Sequence, residues 1–294
     1  MPAPSSSDSL SPLADTPSDA PEAAAACVVN AGLPIVGPDD PPVYLRLNPN
    51  GRARTIVVAD HARNRIPAAL DRLGLPHAPL ERHIAFDIGV EWMTRRLAAR
   101  LDAPALMHGY SRLVIDPNRP LDDPTSICAI SDGVVVPGNR HVDEDQAAAR
   151  AAAFHRPYHT AVDAEIRRLE DQGTVPAVVS VHSFTPHMRG NVRPWHVGIL
   201  WAEDGRIPIP FMAALERSGD DICVGDNEPY SGRNLHGYTM ETHALPRGLP
   251  NVLIEVRQDL IGTEPEAVAW ADRLADALLP ILADDGLYRR FGED

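Results

Sequence analysis

Apolar residues along this chain gather into short runs that stop at polar, turn-forming positions. The run Val178 to Val181 ends at His182, followed by Ser183-Phe184-Thr185-Pro186. Thr55 to Ala59 leads into Asp60-His61, and Asn251 to Ile254 leads into Glu255-Val256-Arg257. Short, nearly continuous apolar runs are the mark of parallel strands buried on both faces. The pattern predicts strands over 55–59, 104–108, 111–115, 176–181, 196–201 and 251–256. Apolar residues at helical spacing predict helices over 87–101, 144–172, 209–217 and 264–283. In the first, Ile88, Trp92, Met93, Leu97 and Leu101 share roughly one face. In the last, Val268, Leu274, Leu278 and Ile281 do so. Pro157 is expected to kink or interrupt the long helix over 144–172. Strands alternating with helices give an α/β fold with a mixed, mainly parallel sheet. No internal repeat is seen. Segments 117–143 and 226–250 are long and polar, and read as loops of the kind that carry function.

Residues 1–40 are rich in Pro, Ala, Ser and Asp without periodicity. They read as a disordered extension ahead of one domain over 41–294. The chain has 294 residues, is 44% hydrophobic and has a net charge of −14. All 27 basic residues are arginine, which excludes Schiff-base chemistry and a phosphate-loop lysine. No basic patch or nucleic-acid signature appears, so a nucleic-acid partner is not expected. Cys27, Cys128 and Cys223 are widely spaced, which supports neither a disulfide framework nor a cysteine metal site. No signal peptide and no membrane-length apolar run is evident, so a cytoplasmic protein is the expectation.

The strand ends carry the candidate chemistry. Ligand crevices of open α/β sheets form at the carboxyl ends of strands. His61, His182 and Glu255 stand at or near such ends, as parts of one site drawn from distant stretches. Zinc hydrolases use histidines, often with one carboxylate, and a separate carboxylate that takes the proton from water. No HExxH motif occurs. Asp87 fits either a helix N-cap or a carboxylate ligand. Arg112 and Arg119 bracket an apolar run, as a clamp for an anionic substrate or as ion-pair partners of Asp116 and Asp122. Asp226-Asn227-Glu228-Pro229-Tyr230 and His236-Gly237-Tyr238 fit turn chemistry or a pocket wall. His155 and His159 are four apart and share a helix face, as a solvated or hydrogen-bonded pair before a metal pair.

Six ordered motifs resemble the N-formylglutamate amidohydrolase family. They are Asp60-His61-Ala62-Arg63-Asn64-Arg65-Ile66-Pro67, Phe86-Asp87-Ile88-Gly89, Ser111-Arg112 through Asn118-Arg119-Pro120, Ser180 through Pro186, Gly225 through Tyr230, and Ile254 through Asp259. The resemblance runs from about residue 43 to 283. It implies a three-layer phosphorylase/hydrolase-like fold, similar to zinc carboxypeptidases, and a zinc-dependent amide hydrolase. By the same resemblance His61 and His182 bind the metal. Asn64 stands where carboxypeptidases carry a glutamate ligand, so the third ligand is assigned to Asp87. Glu255 matches the general base. Asn118-Arg119 resembles the pair that grips a substrate carboxylate, with Arg112, Asn227 and Tyr230 as further substrate contacts. His61-Ala62-Arg63 departs from the His-Ser-Gly typical of deformylases of histidine breakdown. The expected substrate is a small anionic N-acyl amino acid such as N-formylglutamate. A hydrolase of other small amides or peptides, and an inactive metal- or amino-acid-binding member of the fold, stay open.

Overall fold

The computed structural model describes residues 28–29, 33–219, 222–233 and 237–293. Seven strands form one sheet: β1 (Tyr44–Leu47), β2 (Thr55–Ala59), β3 (Ala105–His108), β4 (Ala177–Phe184), β5 (Val197–Leu200), β6 (Val224–Asp226) and β7 (Asn251–Arg257). Their order across the sheet is β6-β5-β7-β4-β2-β3-β1. Four neighbouring pairs are parallel, and β5–β7 and β3–β1 are antiparallel. The centre is β4, whose eight residues are all buried, as the continuous apolar run requires.

Alternation along the strands builds two cores. Val57, Ala59, Val179, Val181, Val252, Ile254 and Val256 pack on one face, against α1 (Val90–Arg100), α4 (Pro208–Arg217) and α6 (Glu264–Leu282). Ile56, Val58, Leu106 and Val178 pack on the other, against Tyr158, Val162 and Ile166 of α3 (Arg156–Glu170). Helices on both faces of a mixed, mainly parallel sheet make the three-layer α/β fold expected from the sequence. Polar His182 and Glu255 fall on the α3 side by the same alternation, because neighbours along a strand point to opposite faces.

The helix over 144–172 is one continuous rod with a change of winding. α2 (Glu144–Arg150) passes through a wide π-turn at Ala151–His155 before α3 begins. Pro157 lacks the N–H that an α-helix would use there, and the wider turn absorbs the loss. The short α5 (Thr239–His243) interrupts the segment read as the late loop. The early loop holds a small hairpin, Ile130–Ser131 with Val134–Val135.

The strand expected at 111–115 does not form. Ser111 Oγ donates to the Ala85 carbonyl and accepts from the Leu113 N–H, and the chain turns instead. Leu113, Val114 and Ile115 are still buried, in a third cluster away from the sheet. Side chains replace a strand neighbour there. Asn139 Nδ2 donates to the Leu113 carbonyl at 2.8 Å and Arg150 Nη1 to that of Val114 at 3.0 Å. The apolar run is buried as expected, in a turn and not in a strand.

The extension expected at 1–40 falls, for residues 1–27 and 30–32, outside the described residues. Ile35 is buried in the third cluster, and Asp40 Oδ1 accepts the Ala68 N–H at 3.0 Å. Residues 35–40 therefore belong to the packed body.

Candidate metal centre

Strand register sets the first two groups side by side. His182 of β4 and Glu255 of β7 are directly opposed partners in a parallel pair. His61 comes two residues after β2 ends at Ala59, on the strand beside β4. Asp87 enters from the turn ahead of α1. It is not that helix's N-cap; Gly89 is, in the left-handed region at φ 83°. A Cβ on Gly89 would lie 2.3 Å from the Ile261 carbonyl oxygen. Only glycine meets both demands, and the tight turn leaves the Asp87 carboxylate facing the histidines. One donor atom each from His61, Asp87 and His182 lies within 4.8 Å of the others, and all three residues are buried.

Outer partners decide which ring nitrogens face inward. His61 Nε2 is 2.6 Å from Asp116 Oδ1. A carboxylate only accepts, so Nε2 carries the proton and Nδ1 presents a lone pair. His182 Nε2 lies 3.3 Å from Asp60 Oδ2. Asp60 Oδ1 is itself held by the hydroxyls of Tyr158 and Thr239, each at 2.8 Å. The inward atoms are His61 Nδ1, 3.5 Å from Asp87 Oδ2, and His182 Nδ1, which donates to that oxygen at 2.9 Å; His182 Nε2 and Asp60 Oδ2 face each other without a hydrogen bond. His61 Nδ1 has no hydrogen-bond partner. Three buried ligand atoms stay this close only with a proton or a cation among them; here the His182 proton serves, and a metal could replace it. This donor set fits a divalent metal of the zinc type.

Burial and the neighbouring charges act on these groups in opposite senses. Burial pushes His182 down, yet Asp60 and Asp87 outweigh it and hold the ring well above its ordinary value. Burial raises Asp87 and Asp60, and the two histidines more than reverse that, so both lie well below the carboxylate range. Glu255 differs. Burial pushes it up to about 7, with His182 pulling down and Asp87 pushing up. Its Oε2 has no partner.

Asp116 organises the arginine-bearing turn. Besides His61, it accepts from Arg112 Nη2 at 2.9 Å and from the Asn118 N–H at 2.9 Å. Arg112 also reaches Asp87 Oδ1 at 3.4 Å. Burial would depress the Arg112 guanidinium, and Asp116 and Asp87 hold it above its usual value. Arg119 makes no ion pair among the described residues, and its Nη1 donates to the Asn118 carbonyl. Two histidines hold this turn from behind: His155 Nε2 lies 3.1 Å from the Arg119 carbonyl and His159 Nε2 2.8 Å from that of Pro117. His159 Nδ1 is 3.0 Å from His243 Nε2.

The chain matches the family described as N-formylglutamate amidohydrolase over residues 53–262. The chain belongs to the N-formylglutamate amidohydrolase family. The structure of a gene product of Agrobacterium tumefaciens is 33% identical with a TM-score of 0.81, covering 85% of this chain and 98% of that one. The structure of an N-formylglutamate amidohydrolase from Ralstonia eutropha is 19% identical with a TM-score of 0.63, covering 81% and 96%. No curated protein matches the chain.

All nine family-type residues singled out in the sequence line one cavity of about 550 Å³: His61, Asp87, Arg112, Asn118, Arg119, His182, Asn227, Tyr230 and Glu255. Their engagements differ. Asn118 Oδ1 is occupied by the N–H groups of Tyr238 and Thr239. Asn227 Oδ1 accepts from Trp201 N and Gly232 N, so this side chain builds the pocket wall. Tyr230 stands at the rim beside Arg193, 3.2 Å from its Nη1. Asn64 is turned away, donating to the Leu80 carbonyl and Glu81. His236 lies outside the described residues. Tyr158 and Thr239 have no place in the sequence analysis, and Asp60 enters it only within a motif; Asp116 pairs with Arg112 as expected and His155 and His159 are hydrogen-bonded as expected, but their link to the metal-site turn is new. Among these, only the Asp60-His61 dipeptide at a strand end gave a local signal. No helix among the described residues is long and apolar enough to cross a membrane.

Proposed function

We propose that this chain is a metal-dependent amidohydrolase that cleaves the amide bond of an N-acyl amino acid. His61, Asp87 and His182 would hold the metal, zinc by donor type, through Nδ1, a carboxylate oxygen and Nδ1. Bound there, zinc supplies a Lewis acid that polarises the scissile carbonyl and lowers the pKa of water. Asp116 and Asp60 orient the two imidazoles, a second layer that also raises their basicity.

Glu255 acts as the general base. It takes a proton from the attacking water and returns it to the leaving nitrogen as the C–N bond breaks, giving a carboxylic acid and a free amine. Its buried carboxyl, pushed up to about 7, suits proton transfer in both directions near neutral pH. Arg119 binds the substrate carboxylate through its planar fork. Arg112 is anchored on Asp87 and Asp116 and supports the oxyanion with its remaining N–H groups.

The observation that carries this reading is the convergence of three buried candidate ligand atoms beside a carboxyl oxygen without a partner. Metal content of the purified protein and amine release from a panel of N-acyl amino acids test it together. About one zinc per chain with chelator-sensitive turnover is expected. Glu255→Gln should bind metal normally and lose about 10²–10⁴-fold in kcat. Near-full turnover by that variant would remove Glu255 from the mechanism.

A further inference from the structure

The cavity that holds the metal centre does not stop there. On β7, Glu255, Leu253 and Asn251 all line it. With a rise of about 3.3 Å per residue, the cavity runs about 13 Å along this strand from the general base. The polar groups of the metal centre share this cavity with an apolar set, Leu200, Met240, Leu245 and Leu253. At Asn251 a second cavity of about 600 Å³ begins, lined among others by Leu249 and Phe291. Trp201, Ala202, Leu245 and Asn251 line both. The two are therefore neighbours across a shared wall, and together form one arm leading away from the chemistry.

We propose that the substrate carries an extended apolar substituent that runs from the metal centre along β7 into this arm. The inference rests on the amidohydrolase reading and names its substrate class. Size supports it: a cavity of about 550 Å³ lies within the range that encloses a drug-sized ligand, far beyond a one-carbon acyl group on a small amino acid. Polarity supports it too. A glutamate side chain directed into this arm would lie against Leu245, Leu253, Leu249 and Phe291. The wall is also built to last. Trp201 is fixed by its indole N–H to Asp226 at 2.7 Å, and Arg233 stacks on its ring at 5.0 Å. The substituent is either the acyl chain or the amino-acid side chain, and the two are separable by experiment.

Two substrate series decide. One lengthens the acyl group on leucine from formyl to octanoyl. The other keeps formyl and changes the amino acid through glycine, alanine, leucine, phenylalanine and glutamate. Along the series that occupies the arm, kcat/KM should rise about fourfold per methylene until the arm is full. Ala202→Trp blocks the shared wall and should reduce the long-to-short ratio by at least about tenfold. That ratio does not depend on how much of the variant folds. Flat profiles in both series, or N-formylglutamate as the best substrate, would overturn the proposal. If no member of either series is cleaved by the zinc-loaded enzyme, the amidohydrolase reading fails by itself. Calorimetric binding of N-octanoylleucine and N-formylphenylalanine against N-acetylglycine then decides for the arm. At least about tenfold tighter binding of one apolar ligand, abolished by Ala202→Trp, sustains it. Equal binding overturns it.

Discussion

Asp116→Asn isolates the outer layer of the site. The substitution keeps the shape of the side chain and removes its charge. Three contacts change. His61 Nε2 and the Asn118 N–H share Oδ1, at 2.6 and 2.9 Å, while Arg112 Nη2 holds Oδ2 at 2.9 Å; the guanidinium retains the amide oxygen, so both other contacts lose their acceptor. An amide can place its NH₂ towards His61, which favours the wrong tautomer and removes the Nδ1 lone pair from the metal. Losing an outer partner of a metal histidine costs about 10–100-fold in affinity or activity, or about 1.4–2.7 kcal/mol. Arg112 retains Asp87 and is a quarter exposed, so the folding penalty should be modest, about 1–2 kcal/mol. Competition with a chromophoric chelator reads the metal affinity and circular dichroism the melting point. A zinc Kd within about threefold of wild type in a folded variant would refute the orienting role of Asp116.

Arg119→Lys should raise KM for carboxylate-bearing substrates with a smaller effect on kcat, for a total of about 10–100-fold in kcat/KM, since an ammonium cannot reproduce the bidentate fork; steady-state kinetics on acid and amide versions of one substrate read it. Gly89→Ala forces a Cβ into the Ile261 carbonyl at a positive φ and should destabilise the fold by about 2–4 kcal/mol, lowering Tm and loosening the metal by displacing Asp87. Burial pushes His108 down to about 4 from 6.5, so the unfolded chain binds a proton that the folded one refuses: stability is whole above about pH 6.5, falls as pH drops, and is lower by about 3 kcal/mol below pH 4. Urea unfolding of wild type and His108→Gln between pH 7 and 4 should show a flatter pH dependence for the variant.

Much of the fold was visible as pattern. Continuous apolar runs located β2, β4 and β7, because strands buried on both faces have little room for polar residues. β1 is partly exposed at the sheet edge and β6 has three residues, so neither stands out from a loop. The run 111–115 misled because burial and extension usually coincide, and here Arg150 and Asn139 supply the hydrogen bonds that a neighbouring strand would. In the site, His61, Asp87, His182 and Glu255 were legible at strand and helix ends. Asp60, Asp116 and His159 were not, since they act on another group rather than on the ligand. Their contacts span 122, 55 and 42 positions of sequence, and no local spacing encodes such a partner.

One reversed strand has a consequence for how this enzyme can change. Because β5 runs against β7, it leaves the sheet beside Leu253 and not beside Glu255. The segment from Trp201 onward therefore closes the far end of the cavity, while the ligands come from other segments entirely. Trp201 and Ala202 are thus carried on a different piece of chain from His61, Asp87, His182 and Glu255, although β7 itself runs past both ends of the cavity. On the proposed function, substitutions at that wall change which molecules fit without moving the metal-site residues, so the topology gives substrate range a handle apart from the chemistry.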